Sequence, residues 1–255
     1  MIDQHQLPAH WGIHPVLLHI GKLEIDSYAF FVFLGLLAGG ATYFILAKKM
    51  HTMGDRSVFI AVAALAGGVI GAKLPYWIGN YRQIIDSYPN IMPILSGRTI
   101  TGGLIGGTLA VMWIKHRLKI TEKRGNLFAP AVAIGMAIGK LGCFFNGCCY
   151  GIPTDLPCGI NLGDGIMRHP TQLYEIPLFL LFFFYSLPRV KSAPPGYLFF
   201  LLMNYYFVIR FFEEFIRQNS ELYWGLSFFQ YISIFALLFI NIKQYVEHKT
   251  APDGK

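Results

Sequence analysis

The chain has 255 residues, 54% of them hydrophobic and 14% charged, with a formal net charge of +7 at pH 7 and a mean hydropathy of +0.46. Soluble domains carry roughly 25% charged residues, so this composition excludes an ordinary water-soluble globule. It also lacks the runs of about ten alternating residues that mark a transmembrane barrel.

What remains is an all-α, polytopic helical membrane protein, expected as one domain over residues 1–255. Seven stretches reach or approach the roughly 20 apolar residues that cross a bilayer, at about 27–47, 57–79, 98–114, 127–150, 171–188, 197–216 and 225–242. The polar start Met1-Ile2-Asp3-Gln4-His5 has no basic region followed by a cleavage motif, so no removed signal peptide is expected. Spans one to four carry glycines four residues apart: Gly35 with Gly39, Gly67 with Gly71, Gly102 with Gly106, Gly103 with Gly107 and Gly135 with Gly139. Such pairs let helix backbones approach closely in lipid, and packing alone is the plainer use of each. Span three opens with Arg98 at the interface, above Thr101, Gly102 and Gly103, a run that permits close approach of backbone to a ligand.

Span four ends in the most specific signal, Gly139-Lys140-Leu141-Gly142-Cys143-Phe144-Phe145-Asn146-Gly147-Cys148-Cys149-Tyr150-Gly151. Its glycines predict an interrupted helix whose amides hold an anion beside Lys140 and Asn146. The other reading is a frayed helix end with Lys140 snorkelling to water. Pro170 suits the first turn of a helix, which puts Arg168 and His169 at the outer mouth of span five, with Tyr174 and Glu175 one turn inside. Span six holds Arg210, whose charge is costly at membrane depth unless an anion or water is near. Lys73 and Lys140 are in similar settings. Glu213 and Glu214 face different directions, so at most one is expected to orient Arg210. Ion pairs at this spacing with Arg217 also serve structure alone. The last three spans are crowded with aromatics and are read as closing a lipid-accessible cavity. The tail from Lys249 onward is expected to be disordered.

Orientation follows from the basic residues of the loops. One set holds thirteen Lys and Arg and the other five, which places the N-terminus outside and the C-terminus in the cytoplasm. Basic loops facing anionic lipid account for the net charge, with no nucleic acid as partner.

Taken together, the Thr101-Gly102-Gly103-Leu104-Ile105-Gly106 run, the 139–151 segment and Arg168-His169-Pro170-Thr171-Gln172-Leu173-Tyr174-Glu175 resemble the bacterial prolipoprotein diacylglyceryl transferases. The resemblance covers nearly the whole chain and implies the same seven-span, N-out topology in the cytoplasmic (inner) membrane. Tyr28 matches the family's tyrosine at the head of span one, and Asn146 and Gly151 match its signature segment. Arg210, Glu214 and Arg217 fit its late helix, in which the arginine corresponding to Arg210 is essential. The implied activity moves diacylglycerol from phosphatidylglycerol onto the lipobox cysteine thiol of a prolipoprotein, releasing glycerol phosphate, with no cofactor. Arg210 and Arg168 would clamp phosphate oxygens. Lys140, where the family commonly has arginine, would act as a point charge. Two departures stand out: Thr101 replaces the family's usual histidine, and the loop from Gly151 to Arg168 is short. The thiol's base is therefore open among His169, His14, His19, Glu175 and lipid phosphate. A paralogue with another acceptor and a non-catalytic phospholipid-binding protein are the competing readings.

Four cysteines, Cys143, Cys148, Cys149 and Cys158, crowd the outer side. They fit packing thiols, one disulfide from Cys148 or Cys149 to Cys158, or metal or redox work. The spacing matches no standard zinc pattern, so no metal is assigned.

Overall fold

The computed structural model describes residues 11–21, 23–95, 97–218 and 222–250. The polar start, Lys22 and Lys255 of the charge count, and the tail beyond Thr250 lie outside them. In chain order the elements are β1 (Val16–Ile20), β2 (Leu23–Asp26), α1 (Ser27–Lys49), α2 (Asp55–Gly79), α3 (Tyr81–Asp86), α4 (Met92–Leu95), α5 (Ile100–Arg117) and α6 (Gly125–Asn146). There follow β3 (Ile160–Asn161), β4 (Met167–Arg168), α7 (Thr171–Ser186), a 3₁₀ turn (Leu187–Arg189), α8 (Tyr197–Glu213), β5 (Leu222–Tyr223), β6 (Leu226–Ser227) and α9 (Phe228–Thr250). The protein is mostly helical, but the all-α expectation needs amending. Among the described residues, three two-stranded antiparallel ladders pair β1 with β2, β3 with β4 and β5 with β6. They form in the segment before α1 and in two connections between helices, where the chain must satisfy its own backbone groups. Lys249 and Thr250, expected to be disordered, belong to α9.

By length and composition, four helices among the described residues can cross a membrane: Ser27–Lys49, Arg56–Gly79, Gly125–Asn146 and Phe228–Val246. Helices α5, α7 and α8 are shorter, at 18, 16 and 17 residues. The chain divides into two compact units, one holding Phe44–Glu122 and the other Leu7–Tyr43 with Lys123–Lys255, so the boundary falls within α1.

In the first unit α2 packs on α5 through its glycines. A Cβ on Gly71 would lie 2.5 Å from the carbonyl oxygen of Gly102, and one on Gly67 would lie 2.6 Å from that of Gly106. Only hydrogen at those positions permits such an approach, as the spacing predicted. Gly102 and Gly103 are thereby committed to packing, against Gly71 and Gly68. Their amides are also used: Thr99, the N-cap of α5, accepts from Gly102 through its hydroxyl at 3.2 Å and from Gly103 through its carbonyl at 3.0 Å. Lys73 reaches the carbonyl of Ile94 at 3.5 Å.

In the second unit α1 meets α6 the same way, Gly35 against the carbonyl of Gly135 and Gly39 against that of Ala131. Buried Asn126, near the start of α6, donates to the carbonyls of Ala193 and Pro194 at 3.0 Å each and accepts from the Leu198 amide at 3.0 Å. One side chain thus ties the turn before α8 to α6. The other end of α6 corrects an expectation. The helix runs unbroken through Gly139 and Gly142 and stops at Gly147, whose φ of +73° closes it in the left-handed region that glycine tolerates. The N-terminal arm covers that end, with Trp11 Nε1 donating to the Gly147 carbonyl at 2.9 Å and the His14 amide to that of Phe145 at 2.9 Å.

Candidate active site

Three helix ends of the second unit meet at one polar centre. The last turns of α6 supply Lys140, the second turn of α7 supplies Glu175, and the end of α8 supplies Arg210, Glu213 and Glu214, with Arg217 just beyond. Lys140 Nζ pairs with Glu175 Oε1, and their side chains are only 2% and 3% exposed. Glu175 in turn faces Glu213. Arg210 lies 3.5 Å from Glu213 Oε2 and 2.8 Å from Glu214 Oε2. Arg217 lies 3.6 Å from Glu213 and 4.0 Å from Glu214. Phe229 of α9 completes the setting, its ring centroid 4.8 Å from the Arg210 guanidinium carbon. Three cations therefore face three carboxylates in a water-poor site, where unpaired charges would be prohibitive.

This arrangement corrects two expectations. Both glutamates contact Arg210, because positions three and four residues on share one face of a helix. Arg168 does not join the centre. It sits on β4, where Asp164 holds it at 2.5 Å and the ring of Tyr150 lies 5.2 Å from its guanidinium carbon. Hydrogen bonds from Arg168 and the Ile166 amide outweigh burial and pull the Asp164 carboxyl below its ordinary range.

Gly151 has a structural duty. Its amide donates to the His169 carbonyl at 2.8 Å, the next amide donates to Ile216 at 2.8 Å, and Gly151 bridges to Arg217. A Cβ there would lie 2.5 Å from the Ile216 carbonyl and 2.6 Å from His169 Cβ, so only glycine lets the three segments pass. The amides of Gly147, Cys148 and Gly151 are each taken by a carbonyl. Thr171 and Gln172, unassigned from the sequence, fasten the loop by donating to the carbonyls of Cys149 and Cys148. Pro170 stands at the N-cap of α7, one residue outside the expected first turn.

His169 Nδ1 lies 3.1 Å from Tyr174 Oη, which lies 3.2 Å from Cys158 Sγ. His19 pairs instead with exposed Glu24 at 3.6 Å. Tyr28 backs onto Gly142, and Asn146 is the last residue of α6. Thr101 is buried in α5 of the first unit. No disulfide joins the four cysteines. The sulfurs of Cys143, Cys148 and Cys149 gather within 4.8 Å of one another, and exposed Cys158 turns to Tyr174. The bridge to Cys158 is not formed because Gln172 and Thr171 pin the 148–149 carbonyls with both sulfurs directed at Cys143.

A model of the family described as prolipoprotein diacylglyceryl transferase matches residues 15–243. The chain belongs to this family. It is 34% identical to the phosphatidylglycerol–prolipoprotein diacylglyceryl transferase of Clostridium tetani over 236 residues, covering 88% of this chain and 94% of the relative. The enzyme of the same name from Geobacter sulfurreducens is 32% identical, covering 81% of this chain and 83% of its own length. That from Finegoldia magna is 32% identical, covering 92% and 95%. In this diacylglyceryl transferase family member the charged centre and the 139–175 signature occupy one unit, while the Thr101 run lies in the other.

Proposed function

We propose that this chain transfers the diacylglyceryl group of phosphatidylglycerol to the cysteine thiol of a prolipoprotein, releasing glycerol phosphate. The activity for which its relatives are named supports donor, acceptor and group. The buried Lys140–Glu175–Glu213–Arg210 network carries the chemistry. The donor's phosphodiester has one negative charge, and the leaving glycerol phosphate gains a second as the glycerol carbon–oxygen bond breaks. Fixed cations in a dry site favour that development. Arg210 offers two parallel donors, and Glu213 and Glu214 keep its fork oriented until phosphate competes with them. The thiol sulfur bonds to the departing carbon while its proton goes to a base. His169 is the base this reading selects: with hydrogen on Nδ1 donated to Tyr174, Nε2 accepts the thiol proton and later passes it to glycerol phosphate.

The same reading takes α5, α7 and α8 as three further crossings, giving seven spans in one domain of the bacterial inner membrane with the N-terminus outside. The excess of basic residues in one set of loops supports that orientation.

The test incubates purified protein with phosphatidylglycerol vesicles and a lipobox peptide and measures peptide mass. A gain of one diacylglyceryl group is expected, with Arg210→Ala slowing it by about 10²–10³. Gain only on another acceptor would overturn the proposed substrate, and activity within a few-fold in Arg210→Ala would remove Arg210 from its role.

A further inference from the structure

The three clustered thiols take no part in the transfer chemistry, yet their geometry is built. Cys143 lies in the last turn of α6, and the Cys148 amide donates to its carbonyl at 3.0 Å. Gln172 and Thr171 hold the carbonyls of Cys148 and Cys149. Cys149 has φ +62°, a left-handed conformation unusual for a residue with a side chain. Neighbouring side chains on extended backbone point apart. Here two sequence neighbours turn their sulfurs to the same place, and backbone strain of this kind clusters at functional sites. Cys143 and Cys148 are 6% and 4% exposed.

We propose that Cys143, Cys148 and Cys149 form a three-coordinate site for a soft d10 metal ion of the Cu(I) class. Sulfurs 4.8 Å apart or less need little movement to surround an ion, since metal–thiolate bonds of about 2.3 Å set them roughly 4 Å apart. Three thiolates without a fourth ligand suit Cu(I), whereas structural zinc takes four. The group within reach comprises these three residues and no His, Asp or Glu among those described. Three thiols bind one Cu(I) and release three protons to solvent, giving a complex of charge −2. Lys140 and Arg217 both face Cys149 electrostatically and offset that charge. The ion would clasp the end of α6 to the loop that precedes α7. Cys158, held by Tyr174, stays outside.

The experiment titrates the full chain in detergent, without oxygen, with Cu(I) supplied as its acetonitrile complex. Native mass spectrometry reports stoichiometry, and maleimide labelling reports which cysteines are covered. One copper per chain is expected, protecting Cys143, Cys148 and Cys149 while Cys158 still labels. Cys158→Ser should bind as the parent does, and Cys148→Ser should lose stoichiometric binding. Absent stoichiometric copper, Cys158 protected with the rest, unchanged binding in Cys148→Ser, or Zn(II) bound as tightly as Cu(I) would each overturn the site. The labelling pattern of the unsubstituted chain decides the matter even if Cys148→Ser fails to fold. Since the readout is binding, its failure leaves the transferase reading untouched.

Discussion

Removing the ammonium of Lys140 strands a carboxylate. Glu175 is 3% exposed, its partner is Lys140, and its neighbour Glu213 carries the same charge. Breaking a buried pair from one side costs about 3–5 kcal/mol, and a like-charged neighbour puts Lys140→Met toward the upper end. Replacing both partners is different. In Lys140→Met/Glu175→Gln no charge is left uncompensated, and the new amide donates to Glu213. The double variant should therefore recover to within about 1–2 kcal/mol of the parent, well below the sum of the two single substitutions. Chemical denaturation in micelles measures the four corners of the cycle, and peptide lipidation is followed on the same samples. Stability should return in the double variant while turnover stays lost, because the cation that meets phosphate is still missing. If the single variant costs less than about 1 kcal/mol, or the two substitutions simply add, the pair is not the buried couple described. If turnover returns with stability, Lys140 is structural and does no electrostatic work on the donor.

Other consequences are simpler to read. Gly151→Ala drives a methyl group into the Ile216 carbonyl and His169, so it should destabilise by about 1–3 kcal/mol in thermal or chemical melts. Asn126→Ala removes three hydrogen bonds at the turn before α8 and exposes no compensating group. It should cost about 1–3 kcal/mol while lipidation per folded molecule is unchanged. His169→Ala should slow lipidation by about 10²–10⁴, since Nε2 takes the thiol proton. Lipidation within a few-fold of the parent's would return the base to the other candidates. The Asp164 carboxyl sits below its ordinary range and the group is charged when paired. Its support of the β3–β4 hairpin is thus present above the unfolded value of about 3.9 and is lost as pH falls through the depressed one. Hydrogen exchange of the 160–168 amides on acidification checks this, with protection lost first in the parent and already absent in Asp164→Asn.

The membrane character and the mostly helical fold were legible in the sequence. Hydropathy acts over near neighbours in the chain, whereas the Thr99 cap and the Gly147 stop emerged only with the structure. Glycine spacing also foretold the tight α2–α5 and α1–α6 contacts, because four residues is one helical turn wherever the helix goes. The family signature marked Lys140, Glu175, Arg210 and Glu214. What no local pattern encoded was partnership. Lys140 and Glu175 are thirty-five residues apart, and only the packing of α6 on α7 sets them together. Arg168 looked like Arg210's companion, yet Asp164, four residues back, holds it on a hairpin. The cysteines illustrate the same limit: their spacing matched no ligand pattern, and the convergence of three sulfurs appears only once Thr171 and Gln172 fix the chain between them. Short-range forces write helices into a sequence. Charge pairs and thiol clusters depend on which helix ends the tertiary fold brings face to face, where low dielectric makes each pairing decisive.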